Sequence, residues 1–136
     1  MNNQTLIRRS FWENKSVVVT GHTGFKGSWL TICLERLGAK VLGISLEPDS
    51  NPCLFNAAKI SNICNSILCD IRDYKKLENI LSEFNPEIVF HLAAQPLVRE
   101  SYKDPIKTYS TNLMGSVNIL EVSRSLTSLK SLIIVF

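Results

Sequence analysis

The sequence is poor in the groups that build metal centres and disulfide frameworks. It contains only four cysteines and two histidines in 136 residues. No two cysteines form a Cys-x-x-Cys pair, and neither histidine stands at metal-ligand spacing from a cysteine. These absences argue against a zinc site and favour four reduced thiols, as in cytosolic proteins.

Long apolar runs and a strong charge of either sign are also lacking. The N-terminal stretch has no continuous apolar segment of the kind a signal peptide needs, and no later run approaches the length of a transmembrane helix. The formal net charge is +3 and the basic residues are scattered, which does not indicate nucleic-acid binding. With 45% hydrophobic and 20% charged residues, we expect a soluble, cytoplasmic protein with one core and no membrane partner.

Short apolar runs alternate with helical patterns along the chain. β-branched runs such as SVVVT suit strands that are buried on both faces. The predicted strands span residues 16–20, 40–45, 66–69, 87–91 and 131–136, and the predicted helices span residues 28–37, 54–59, 74–84 and 105–125. This alternation predicts an α/β fold: a Rossmann-type doubly wound parallel sheet, truncated within the fifth strand, over residues 16–136 after an N-terminal extension of residues 1–15.

The predicted helices have recognisable ends and apolar faces. Asp73 and Asp104 are predicted N-caps, and Pro105 suits the first helical position. Residues 92–103 are predicted to form a loop. The apolar residues at helical spacing are Trp29, Leu30, Cys33, Leu34 and Leu37 in the first helix, Leu77, Ile80, Leu81 and Phe84 in the third, and Ile106, Tyr109, Leu113, Val117 and Leu120 in the last.

A glycine loop, TGHTGFKG, joins the first strand to the first long helix. Glycines here allow a tight turn, close approach of the backbone to a pyrophosphate, and close packing of helix on strand. The helix N-terminus then offers free N–H groups and a partial positive charge to phosphates. A tight turn without a ligand is the alternative.

Two other side chains of the loop have simple alternatives as well. Lys26 is placed to meet a phosphate, or is a solvated surface lysine. His22 fits a loop residue better than a catalyst.

Four segments carry a resemblance to a known family. VTGHTGFKGSWL, DIRD, EIVFHLAAQPLVRESY and TNLMGSVNILE resemble the extended short-chain dehydrogenase/reductases, whose nucleotide loop reads TGxxGxxG. Within that family the chain is similar to the CDP-glucose branch of the nucleotide-sugar 4,6-dehydratases, over residues 11–136. The dTDP-glucose branch usually places Asp where this chain has Arg99, which favours the CDP-sugar branch.

The resemblance implies NAD as cofactor and a set of contacts for it. The implied cofactor-binding residues are Gly21, Thr23, Gly24, Phe25, Lys26, Gly27, Asp70, Ile71, Leu92, Ala93, Ala94, Gln95 and Asn112. Asp70 would meet the adenine, and otherwise is a turn residue. Ala93 and Ala94 would let the backbone pass close to the cofactor, and otherwise serve close packing. Asn112 would brace the loop or the ribose, and otherwise is an exposed mid-helix residue.

The choice between NAD and NADP is less direct. NAD-binding members carry an acid at the end of the second strand for the ribose hydroxyls. That position is Ser45 here, and Glu47 and Asp49 follow slightly beyond it. Either acid could serve, and no arginine lies near Ser45 to favour a 2′-phosphate.

The family's catalytic pair, Tyr-x-x-x-Lys, is absent from this sequence. The family removes water from a nucleotide sugar, here CDP-glucose, by internal hydride transfer, and its enzymes are homodimers in which the long helix pairs with a later helix and a second subunit. No catalytic residue and no metal ligand is therefore assigned. We expect the N-terminal portion of such an enzyme, inactive and poorly soluble alone. The alternatives are a non-catalytic dinucleotide-binding module and part of another nucleotide-sugar epimerase or dehydratase.

Overall fold

A computed structural model describes residues 8–135. Five parallel strands form one sheet in the order β3-β2-β1-β4-β5. They are β1 (Ser16–Thr20), β2 (Lys40–Ser45), β3 (Asn65–Leu68), β4 (Ile88–His91) and β5 (Ser131–Ile134). The chain reverses its direction across the sheet between β1 and β4, which is where doubly wound folds bind ligands.

One short helix precedes β1, and the other helices lie between consecutive strands. The helices are α1 (Arg9–Trp12), α2 (Phe25–Arg36), α3 (Leu54–Ala57), α4 (Tyr74–Phe84), α5 (Val98–Lys103), α6 (Pro105–Tyr109) and α7 (Gly115–Ser123), with a 3-10 turn at Ile60–Asn62. A π-helical segment, Ser110–Met114, joins α6 to α7, so that residues 105–123 form one continuous helical run. Among residues 8–135, no helix has both the length and the apolarity to cross a membrane.

The predicted α/β fold and its five parallel strands are confirmed. Several boundaries differ from the prediction by one to three residues: the first long helix begins at Phe25, the third strand spans Asn65–Leu68, the fourth strand begins at Ile88 and the fifth ends at Ile134. The predicted loop at residues 92–103 was wrong over its second half, which forms α5. Residues 1–7 and Phe136 of the predicted extension and fifth strand lie outside the described residues, and the division at residue 15 stays a prediction.

The core occupies both faces of the sheet because side chains alternate along each strand. On one face Val18 packs with α4 and α7 through Leu77 and Ile119. On the other face Val17 and Val19 pack with α2 through Leu34. All of these residues are almost fully buried.

The predicted helix ends and faces are correct for α4 and only partly for α2. Asp73 accepts a hydrogen bond from Lys76 N (3.1 Å), and Asp104 accepts one from Lys107 N (2.9 Å). In α2 the buried residues are Gly27, Ser28, Thr31 and Leu34, whereas Trp29 and Cys33 are exposed. Small side chains let α2 approach the sheet closely, so its apolar spacing did not identify the buried face.

The long helical run leaves its predicted apolar face exposed. It packs on the core through Ile119 and Val122 instead. The exposed residues, called the outer face below, are Ile106, Tyr109, Leu113, Val117 and Leu120.

Candidate dinucleotide site

Gly21 makes the turn that leaves β1. Its φ of +76° lies in the left-handed region that favours glycine. Its N–H donates to Ile44 O (2.8 Å) in β2, and its carbonyl accepts from Gly24 N (3.1 Å). A β-carbon at this position would stand 2.8 Å from Ala93 N, so Gly21 also lets the segment after β4 approach the loop.

The other two glycines differ in what surrounds them. A β-carbon on Gly27 would overlap the Gly21 carbonyl group and lie 2.9 Å from His22 Cα. At Gly24 the nearest atom to such a carbon is Gly21 O at 3.4 Å, and the residue is exposed. Gly27 therefore serves close packing of α2 on the loop, whereas Gly24 is exposed and an added β-carbon there would meet only Gly21 O.

The N-terminus of α2 is left without a cap. Gly24 occupies the cap position, no side chain accepts a hydrogen bond there, and no acidic residue stands in the first turn. In contrast, α4 and α6 begin with the capping carboxylates of Asp73 and Asp104. The free N–H groups and the positive end of the α2 dipole therefore point toward the loop, where an anion would complete them.

A cleft of about 340 Å³ opens beside this helix end. The glycine loop forms one wall and the segment after β2 forms the other. The lining residues are Thr23, Gly24, Phe25, Pro48, Asp49, Ser50, Pro52, Cys53 and Leu54. Asp49 thus lines the cleft, whereas Glu47 does not.

Ser45 stands where NAD-binding members usually carry an acid, and its side chain is hydrogen-bonded to the glycine loop. Thr23 Oγ1 lies 2.7 Å from Ser45 Oγ and donates to Leu46 O (3.0 Å). Because the Thr23 proton goes to Leu46, Ser45 must donate to Thr23. Both side chains are buried, so Thr23 braces the wall of the cleft with its hydroxyl.

Asp70 and Ile71 follow β3 at the same sheet edge. The Asp70 carboxylate accepts from Arg72 N (2.9 Å), Nε (3.0 Å) and Nη2 (2.6 Å), and these hydrogen bonds lower the pKa of Asp70. Ile71 is buried and fills the space beside Gly115, where a β-carbon would overlap its side chain. Its carbonyl accepts from Asn118 Nδ2 (2.9 Å), which ties this turn to α7.

The segment Leu92–Gln95 is held at both ends. Thr20 Oγ1 accepts from Leu92 N and Ala93 N (3.1 Å each). Asn112, in the π-helical segment, accepts from Gln95 N (2.7 Å) and donates to Gln95 O (3.1 Å). Ala94 remains exposed between these two anchors.

Lys26 is exposed beside the N-terminus of α2. No ion pair involves it among residues 8–135. Its charge is therefore free to meet an anion at the loop.

His22 lies beneath the loop rather than in the cleft. Its ring contacts Gly43 in β2, its Nε2 lies 2.6 Å from Ser66 Oγ, and Phe55 covers its edge. Burial lowers the pKa of His22 to about 4, so the ring is neutral at physiological pH. The sequence carried one signal for this packing, since an isolated glycine inside a strand, Gly43, indicates close approach of another group.

The buried His91 at the end of β4 was not predicted as part of the site. Its Nδ1 lies 2.7 Å from Thr20 Oγ1 and its Nε2 lies 3.1 Å from Ser116 Oγ. Burial lowers the pKa of His91 to about 4 as well.

Comparisons with known proteins show the family of this chain. The family model described as GDP-mannose 4,6 dehydratase matches residues 18–136. The chain is 50% identical over 128 residues to the CDP-glucose 4,6-dehydratase of Salmonella typhimurium, covering 94% of this chain and 36% of that protein. It therefore spans only about a third of that relative's length.

Solved structures share the fold. A UDP-glucose 4-epimerase from Thermotoga maritima, solved with UDP-glucose, superimposes with a TM-score of 0.78 at 30% identity, covering 87% of this chain and 36% of that one. A UDP-glucose 4-epimerase from Brucella ovis, solved in complex with NAD, superimposes with a TM-score of 0.75 at 26% identity, covering 89% and 35% of the two chains.

Proposed function

Because the chain belongs to the GDP-mannose 4,6-dehydratase family, we propose that it binds NAD at the carboxyl edge of its sheet and forms the cofactor-binding portion of a CDP-glucose 4,6-dehydratase. The observation that carries this proposal is the uncapped N-terminus of α2. Its free N–H groups lie next to Gly24, which is exposed and lines the cleft. A pyrophosphate would accept from those N–H groups and gain from the helix dipole.

The remaining residues fit the other parts of a dinucleotide. Asp49 lies on the wall of the cleft, where a carboxylate would accept from the adenosine ribose hydroxyls. The Asp70 carboxylate, ionised and oriented by Arg72, would accept from the adenine amine. Lys26 would add a charge-assisted contact to the phosphates.

The segment after β4 supports the nicotinamide side of this proposal. Ala93 and Ala94 carry only methyl groups, so the cofactor could lie against their backbone. Asn112 holds Gln95 in place from the long helical run. The bound NAD would supply reversible hydride transfer with the sugar.

The likeness of half the residues to a CDP-glucose enzyme favours CDP-glucose as the nucleotide sugar of the whole protein. Because Tyr-x-x-x-Lys does not occur in this sequence, we expect cofactor binding by this chain without turnover. A nucleotide-sugar epimerase is the second candidate, which the UDP-glucose 4-epimerase structures favour.

Calorimetry with NAD tests the proposal directly. We compare the wild-type chain with Gly24→Val, which places a branched side chain at the exposed helix N-terminus, and with Asn79→Ala, an exposed change on α4. We expect Gly24→Val to weaken NAD binding at least about tenfold with little change in Tm, and Asn79→Ala to change neither. Equal affinities for Gly24→Val and wild type would place the cofactor elsewhere, and no heat from the wild type would overturn NAD binding.

The nucleotide sugar is tested by turnover assays on the whole protein of which this chain forms the cofactor-binding portion. Turnover of CDP-glucose, but not of UDP-glucose, is the expected result. Turnover of UDP-glucose alone would support the epimerase candidate.

A further inference from the structure

Three buried or half-buried polar side chains meet where the chain changes direction across the sheet. Thr20 and His91 are register partners at the carboxyl ends of β1 and β4. Their side chains are almost fully buried, and Ser116 of α7 lies on the far side of the imidazole ring. Burying such groups is unfavourable unless every one of them is hydrogen-bonded.

The neighbours of Thr20 decide where its proton goes. Thr20 Oγ1 accepts from Ala93 N and shares the Leu92 N–H with the Thr20 carbonyl oxygen, which lies 3.2 Å from Leu92 N. Its third neighbour, His91 Nδ1 at 2.7 Å, is the one acceptor within hydrogen-bond distance of this hydroxyl among the described residues, so the Thr20 proton goes to Nδ1.

This direction fixes the tautomer of His91. With Nδ1 as the acceptor, the neutral ring carries its proton on Nε2. Nε2–H then donates to Ser116 Oγ (3.1 Å), and the Ser116 hydroxyl donates to Asn112 O (2.7 Å). Along this path each hydrogen-bond donor faces an acceptor.

These hydrogen bonds form a closed network through the segment Leu92–Gln95. Thr20 holds the beginning of the segment, and the Asn112 side chain holds its end at Gln95. His91 connects these two anchors through Ser116. The Thr20–His91 half of this network is buried, whereas the hydrogen bonds of Asn112 are exposed to solvent. The buried half restrains the segment most, because no member there can move without leaving another unpaired.

We propose that His91 is a positioning residue: as the neutral Nε2–H tautomer it links Thr20 to Ser116 and so holds Leu92–Gln95 in the conformation that receives the dinucleotide. The role in binding rests on the proposed function, whereas the tautomer and the rigidity of the segment do not. A protonated His91 would carry a second proton at Nδ1. That proton would face the Thr20 hydroxyl as a third donor and disrupt the hydrogen-bonded network.

Histidine ¹⁵N NMR of the full chain tests the tautomer. We expect the His91 signals of a neutral ring protonated at Nε2, retained on acidification to about pH 5.5. A ring protonated at Nδ1 overturns the assignment, and this test needs neither a variant nor NAD.

A matched pair of variants tests the positioning. Thr20→Val keeps the shape of the side chain and removes the hydroxyl, whereas Thr20→Ser keeps the hydroxyl. We expect amide exchange at Ala93 to be at least about tenfold faster in Thr20→Val, with NAD binding weakened by a similar factor, and Thr20→Ser to restore both. Exchange at Leu92, whose N–H also donates to Thr20 O, should change less.

The outcomes separate the two ideas. Equal exchange in Thr20→Val and wild type overturns the positioning role whether or not NAD binds. Faster exchange in a Thr20→Val chain whose NAD affinity is unchanged overturns the link between the segment and the cofactor. The wild-type chain could also show slow exchange and the expected tautomer but give no heat with NAD. That result would overturn the proposed function and leave the positioning role intact.

Discussion

Gly21 and Ala93 face each other across the ends of β1 and β4 so closely that a methyl group on Gly21 would lie 2.8 Å from the Ala93 backbone nitrogen. Gly21 also has a positive φ of 76°. We expect Gly21→Ala to lower the free energy of unfolding by about 2 to 4 kcal/mol, because strain and overlap add. Urea denaturation measures this loss.

Gly38 provides the control for that experiment. Its φ is +88°, but the nearest atom to an added β-carbon stands 3.5 Å away, at Glu13. Gly38→Ala therefore carries the backbone strain alone, at about 1 kcal/mol. Equal losses in the two variants would show that the contact with Ala93 has no energetic consequence.

The two buried histidines should make stability fall in mild acid. Burial lowers the pKa of both His22 and His91 to about 4, from 6.5. Between these values the unfolded chain binds more protons than the folded one, so stability is complete above about pH 6.5 and is lost as the pH falls toward about 4. We expect about 2 kcal/mol less per histidine at about pH 5 than at about pH 7.

Urea denaturation at the two pH values measures that slope. His22→Met, which keeps a buried apolar side chain in place of the ring, should remove about half of it. A slope unchanged by this substitution would contradict the assignment.

Glu87 lies at the amino ends of the strands, on the sheet edge away from the glycine loop. It accepts from Lys130 Nζ (2.8 Å), Lys15 Nζ (3.2 Å) and Ser16 N (3.3 Å), which lowers the pKa of Glu87 to about 2. The ionised form is favoured in the fold, so its contribution is present above pH 4.5 and disappears as the pH falls to about 2.

Glu87→Gln should therefore be less stable than wild type at neutral pH and converge with it in strong acid. Thermal unfolding across this pH range provides the measurement. Glu121→Gln, which removes one partner of the exposed pair with Arg124, should have a smaller effect at every pH. If Glu87→Gln and Glu121→Gln lower the stability equally, the three hydrogen bonds to Glu87 contribute no more than an exposed ion pair.

Asp49 should set the preference for NAD over NADP. Asp49 lines the cleft, where its carboxylate would accept from ribose hydroxyls and repel a 2′-phosphate. We expect Asp49→Ala to reduce the ratio of NAD to NADP affinity about tenfold, and Glu47→Ala, on the same segment but outside the cleft lining, to leave it unchanged. Calorimetry with both dinucleotides decides; an effect at Glu47 alone would reverse the assignment.

The outer face should drive self-association of this chain. Tyr109 is 68% exposed and Leu113 is 56% exposed, and their apolar neighbours extend along the whole helical run. We expect the double substitution Leu113→Lys and Val117→Glu to reduce aggregation and dye binding while changing Tm little, since neither side chain is buried.

Sedimentation of the wild type and the double variant provides the measurement. Lys75→Glu, an exposed change on α4, is the control and should leave aggregation as in wild type. A wild-type chain that sediments as a single monomer without dye binding would contradict the prediction.

Local sequence patterns predicted an element well where its apolar residues are buried or where a polar residue caps its first turn. The run SVVVT is fully consistent with β1, and Asp73 and Asp104 marked two helix starts correctly. Helix α5 was missed because its residues are exposed and show no apolar period, between Pro96 and the strong start at Asp104.

The hydrogen-bonded network around His91 depended on strand register. Thr20 and His91 are separated by 71 positions in the chain, and only the pairing of β1 with β4 brings them together. No local pattern contains that pairing. The glycine loop, by contrast, is continuous in sequence, so its three glycines could be recognised before their surroundings were seen.

The ring of His22 occupies the space where a side chain on Gly43 would stand. The volume available to positions 22 and 43 is therefore shared, and the two residues should vary together among relatives. Where position 22 is glycine or alanine, β2 has room for valine or isoleucine at position 43; where it is histidine, position 43 must stay glycine. An alignment showing histidine at 22 with a branched residue at 43 would break this correlation.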